Sequence, residues 1–130
     1  VYRYIIKIIN ASFNTEFLTN IPRATSNIYR KSIESKPKDN IHTIPGAFVS
    51  WDNSPRRKHE SSIMKDFSID DFEDYISLKI LKGRDIYNSD FLFINAWNEW
   101  AEGTYLEPDK KYRFSYLKAV QSALTKCKIR

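Results

Sequence analysis

The chain has 130 residues, 42% hydrophobic and 28% charged, with a formal net charge of +5 and an isoelectric point near 9.3. That size and mix suit one small folded domain and exclude a disordered chain, and the longest apolar runs, such as Phe91–Ile94, are far too short to cross a bilayer. The basic residues are scattered apart from Arg56-Arg57-Lys58 and Lys110-Lys111, without a Gly-rich phosphate loop, so the charge reads as a solvated surface and not as a nucleic-acid footprint.

The chain begins at Val1 and not at Met, and is expected to be a piece of a longer product. Residues 1–43 carry no clear pattern. Val1–Ile9, "VYRYIIKII", suits a strand or a helix tail, and Arg23–Ser35 suits a helix ahead of "SKPKDN". From Ile44 the pattern sharpens. A strand is predicted over Ile44–Trp51, "IPGAFVSW", running into Asp52-Asn53, followed by the polar loop "NSPRRKHESS" with Pro55 as a breaker. A helix is predicted from about Ile69. Ser68 is its N-cap with Asp71 as the capping-box partner, and Ile69, Phe72, Ile76 and Ile80 form its apolar stripe; Gly83 is its expected stop.

A second strand, Phe91–Trp97, is apolar on both faces except at Asn95, the mark of a parallel strand covered on both sides. A last helix is expected over Arg113–Lys126, with Tyr116, Leu117, Val120, Leu124 and Cys127 on one face. The lone Cys127 excludes a disulfide framework; it reads as a small buried hydrophobe in a reducing, cytoplasmic setting. Two successive strand–helix units predict an α/β fold with a parallel sheet. Two units do not close a barrel. Residues 44–130 therefore fit the C-terminal part of an incomplete (β/α)8 TIM-type barrel, with a smaller open sheet as the alternative.

In such sheets functional residues gather where strands end. Both predicted strands end in chemistry: Trp51-Asp52-Asn53 after the first, Asn98-Glu99-Trp100-Ala101-Glu102-Gly103 after the second. If the second loop turns helically, Glu99 and Glu102 share a face, with Cβ atoms about 5–6 Å apart. Cleaving or forming a glycosidic bond needs such a pair, one carboxyl donating to the leaving oxygen and the other acting as base or nucleophile. The blander reading is two glutamates favouring a helix dipole.

Trp51, Trp97 and Trp100 are candidate stacking surfaces for sugar rings, with Asn98 and Tyr105 beside them. Asp52 and Asn53 either point into the cleft or form a plain Asx turn before Pro55, and Arg56 is placed to meet a phosphate or carboxylate. Glu107 is a candidate for sugar hydroxyls, while Asp109 is expected to cap the last helix. His42 and His59 are not spaced as metal ligands, and neither a metal nor another cofactor is called for.

The segments "PGAFVSWDNSPRR" and "FINAWNEWAEGTYLEPDKKYRFSYLKAV" resemble the C-terminal part of the WbsX-type glycosyltransferases of bacterial polysaccharide biosynthesis, relatives of the family 99 glycoside hydrolases. The resemblance runs from Ile44 to about Leu124. It implies a (β/α)8 barrel and retaining chemistry at an α-linked sugar such as mannose, within cell-surface polysaccharide or lipopolysaccharide O-antigen synthesis. Glu99 would draw the proton from the sugar's 2-hydroxyl, and Glu102 would be the acid/base at the glycosidic oxygen. The implied partners are a carbohydrate and, peripherally, membrane-bound polysaccharide machinery, with no nucleic acid. Two departures stand out: Ala101 where the hydrolases have His, and Arg113 where the family usually has Gly. A non-catalytic glycan-binding module and an inactive truncated remnant are the alternative readings.

Overall fold

The computed structural model describes residues 23–25, 28–34, 43–57, 61–65 and 67–128. In chain order these form β1 (Arg23–Thr25), α1 (Ile28–Glu34), β2 (Gly46–Phe48), α2 (Ser54–Arg57), β3 (Ser62–Met64), α3 (Ile69–Asp85) and β4 (Phe93–Asn95). There follow β5 (Asn98–Glu99), a 3₁₀ turn (Trp100–Glu102), β6 (Thr104–Tyr105) and α4 (Ser115–Lys126). Val1–Ile9, Lys58, His42 and His59 lie outside the described residues, so the expectations placed on them go no further.

The longest helix starts as its capping signal requires. Ser68 Oγ accepts the Asp71 amide at 3.0 Å, and Asp71 Oδ2 accepts the Ser68 amide at 2.7 Å. Two amides that have no partner within the helix are thereby satisfied. Phe72, Tyr75, Ile76 and Ile80 form its buried face. The expected stop at Gly83 is corrected: α3 runs on to Asp85. Gly83 is instead a contact point, since a Cβ there would lie 3.2 Å from Pro45 Cγ.

Against this face packs α4, through Tyr116, Ala119, Ala123 and Cys127. Phe72 and Tyr116 meet edge to face at 5.3 Å. The two alanines, which the expected face omitted, let the helices approach closely, while Leu124 is left exposed. Polar contacts join the helices at one edge, where Glu73 Oε1 accepts from Ser122 Oγ at 2.8 Å and pairs with Lys126 Nζ at 2.5 Å.

The parallel pairing of β2 with β4 matches expectation, in the register Gly46↔Phe93, Ala47↔Ile94 and Phe48↔Asn95. Cover on both sides does not: Phe91 and Phe93 are 68% and 67% exposed. A second parallel pair, β1 with β3, runs from Arg23↔Ser62 to Thr25↔Met64. The single helix expected over Arg23–Ser35 is therefore a strand followed by the shorter α1, because pairing to β3 overrides local helical preference. The aromatic content goes largely into packing. Tyr29 on α1 stacks on Tyr75 at 4.2 Å, and the Tyr29 hydroxyl donates to the Val49 carbonyl. Lys79 and Lys82 of α3 donate to the carbonyls of Ser32 and Ile33, placing cations at the C-terminal end of α1 where its dipole favours them.

Candidate active site at the ends of β2 and β4

The loops after β2 and β4 are stitched together by main-chain and hydroxyl contacts. The Val49 amide donates to the Asn95 carbonyl at 3.2 Å. Thr104, fully buried, donates its hydroxyl to the same carbonyl at 2.7 Å. The Asp52 amide donates to the Glu102 carbonyl at 2.8 Å, and the Ser50 hydroxyl donates to the Gly103 carbonyl. Gly103 has φ 62°, and a Cβ on it would lie 3.1 Å from the Asp52 backbone nitrogen. Only glycine fits both the left-handed backbone and the close approach.

This junction positions the two glutamates. The chain turns as a 3₁₀ helix over Trp100–Glu102, with Glu99 as the flanking residue at φ −80° and ψ 72°. Glu99 belongs to β5, paired antiparallel with Thr104 of β6. Glu102 is fixed toward the β2 loop, where Arg56 Nη1 donates to its Oε1 at 3.0 Å. The Arg56 side chain is mostly exposed, and such a pair contributes only about 0.2–1 kcal/mol. Its effect is orientation of the carboxylate more than stability.

The remaining predicted residues divide. Asp52 forms the Asx turn, its Oδ1 accepting the Ser54 amide at 2.9 Å, and Asn53 Oδ1 accepts the Ser62 amide at 2.8 Å. Both side chains thus shape the loop that carries Arg56. Pro55, expected to break structure, sits in the first turn of α2, where its missing N–H is harmless. Trp51 packs against the core, whereas Trp97 and Trp100 are 53% and 47% exposed. Asn98 is exposed on β5 and paired with Tyr105 across the hairpin.

Trp100 stacks on Tyr105 at 3.8 Å and donates its indole N–H to Glu107 Oε2 at 2.7 Å. Tyr105 donates to Asp109 Oδ2 at 2.7 Å. Burial, followed by the hydrogen bond and charge of Asp109, pushes the Tyr105 phenol up to about 12, so it stays a donor at neutral pH. Burial pushes the Asp109 carboxyl up. Hydrogen bonds from Tyr105 and from the Tyr112, Arg113 and Lys111 amides outweigh it and hold the carboxyl below the usual range. Asp109 caps the turn ending at Arg113; α4 itself begins after Phe114. Ser50, Gly103 and Thr104 were missed from sequence, since small residues in a loop give no signal of the distant partner they touch.

Among the described residues, no three His, Cys, Asp or Glu side chains converge as a metal site. The profile of the family described as Glycosyltransferase WbsX matches residues 5–120. The chain belongs to this family. The match reaches upstream of Ile44, where the visible resemblance begins. The chain is also similar to the uncharacterized protein WxcX of Xanthomonas campestris pv. campestris, in strains B100 and ATCC 33913. Identity is 35% over 100 residues, covering 74% of this chain. This family member spans 14% of the length of the curated relatives it matches. No solved structure matches it. No helix among the described residues is long and apolar enough to cross a membrane.

Proposed function

We propose that this WbsX-family chain supplies the catalytic end of a carbohydrate-active enzyme that makes or breaks glycosidic bonds with retention, in bacterial cell-surface polysaccharide or O-antigen synthesis. One observation carries the proposal: Glu102 lies at the junction of the two strand-end loops, held by Arg56 and joined through its carbonyl to Asp52. The roles of the two glutamates are carried over from the resemblance to the family 99 glycoside hydrolases. As Glu99 draws the proton from the sugar's 2-hydroxyl, that oxygen bonds to C1 and Glu102 protonates the departing glycosidic oxygen. The incoming hydroxyl then bonds to C1 as the C1–O2 bond opens, giving its proton to Glu102 while Glu99 returns its own to O2. Two displacements at C1, the first by the sugar's own 2-oxygen, give retention. The substrate is an α-linked sugar of the mannose kind. In the full-length protein, β2 and β4 with α3 and α4 are the last two units of a (β/α)8 barrel. Peripheral attachment to membrane-bound polysaccharide machinery follows from that role.

The test is Glu99→Gln and Glu102→Gln in the full-length enzyme, assayed on α-mannosyl substrates. Each substitution should lower kcat by about 10²–10⁴-fold, the range of general acid–base catalysis, with the far-ultraviolet circular dichroism unchanged. Unchanged turnover in both sinks the proposal. A glycan-binding role without bond cleavage draws support from exposed Trp97 and Trp100. Retained sugar binding with no turnover in the unsubstituted protein would favour it.

A further inference from the structure

We propose that the outward face of the Trp100 indole is a platform for the apolar face of a pyranose ring, and that Glu107, Tyr105 and Asp109 act as positioning residues for it. This rests on the carbohydrate reading and assigns Glu107 a different task from direct contact with sugar hydroxyls. Trp100 has one face on Tyr105, at 3.8 Å and an interplanar angle of 22°. Its one polar atom already donates to Glu107 at 2.7 Å. The ring beneath it is fixed in turn, because the Tyr105 hydroxyl is held by Asp109 and Asp109 by the Tyr112 and Arg113 amides. Nothing polar is left to offer, yet 47% of the residue stays exposed. What remains is a flat apolar plane that cannot rotate away.

A plane of this kind suits a ligand with a flat C–H face and a hydroxyl edge. Holding the indole before the ligand arrives removes most of the ordering entropy that a free side chain would lose. The neighbouring carboxylates of the same short stretch, Glu99 and Glu102, can accept hydrogen bonds from the hydroxyls of a ring, with Arg56 already on one oxygen of Glu102. A sugar ring therefore fits better than the base of a nucleotide, although bases also stack on aromatic rings.

Saturation-transfer NMR on the 130-residue chain, with methyl α-D-mannopyranoside, methyl β-D-glucopyranoside and adenosine monophosphate, tests this. Saturation should reach the ring C–H protons of one face of at least one glycoside. Trp100→Ala should abolish it and Trp100→Phe should retain part. Glu107→Ala should shift the Trp100 indole N–H resonance and weaken binding several-fold, and Glu107→Gln, which keeps an acceptor, should restore part of both. Saturation of neither glycoside, saturation of the nucleotide alone, or binding unaffected by Trp100→Ala overturns the proposal. Binding and turnover are read separately. Inert glutamate substitutions with intact stacking would remove the acid–base reading alone, and the reverse pattern would remove the platform alone.

Discussion

Arg113 adopts φ 52°, in the left-handed region where an L side chain crowds the following carbonyl. The turn capped by Asp109 requires it, because the backbone must reverse before α4 can start. The left-handed conformation costs a non-glycine residue about 1–2 kcal/mol, and glycine gives back part of that through a more disordered unfolded chain. Arg113→Gly should therefore stabilise the fold by up to about 1 kcal/mol in chemical denaturation. Gly103→Ala should do the opposite, losing about 1–2 kcal/mol from the backbone alone and displacing the Asp52 main chain besides. The polar and aromatic residues of the site were legible as types, because carboxylates and tryptophans directly after an apolar run are unusual. Their division of labour was not. That Glu107 serves an indole and Asp52 serves an amide depends on partners at distances and angles that spacing does not encode.

Among the elements, α3 was the most legible, since a capping box and a 3.6-residue stripe are both local signals. Ser68→Ala should cost about 1 kcal/mol, within the 0.5–2 range for lost N-caps, read as a shift in denaturation midpoint at constant slope. The α3–α4 edge predicts a pH dependence. A hydrogen bond from Lys126, then one from Ser122, holds the Glu73 carboxyl below its ordinary range. The hydrogen bond to Glu73 holds the Lys126 ammonium above its own. Glu73 thus contributes stability that is complete above the unfolded carboxylate range and is lost as pH falls through its lowered value. Lys126 contributes below the unfolded ammonium range and loses it as pH rises through its raised value. Glu73→Gln should flatten the acid side of a stability-versus-pH curve, measured by denaturation across pH 2–7; an unaltered curve would remove this account. Strands were less legible. β1 and β3 stay hidden because three residues of pairing leave no periodicity to read, and Arg23–Thr25 looks helical until Ser62–Met64 is beside it.

At the scale of the whole molecule, the described residues leave an apolar side open. Phe91 and Phe93 are exposed, and a cavity of about 410 Å³ lies between α3, β4 and α4, lined by Ile76, Ile80, Ile94 and Val120 among others. Under the barrel proposal, further strands of the longer protein cover the exposed side of β4. Hydrogen exchange tests this directly: amides of Phe91–Asn95 should exchange at least about tenfold more slowly in the full-length protein than in the 130-residue chain, and equal rates would argue against the barrel. The open phenylalanines also explain why a strand legible as doubly covered is half bare here. Under the same proposal, its composition answers to those further strands. One consequence concerns redesign of family members. Because the Asp52 amide donates to the Glu102 carbonyl and the space beside Gly103 is filled by Asp52, the segment bearing the glutamates and the segment bearing Arg56 form a single cassette. A chimaera that transplants one without the other imports a mismatched hinge, so new sugar preferences are better sought by exchanging both together.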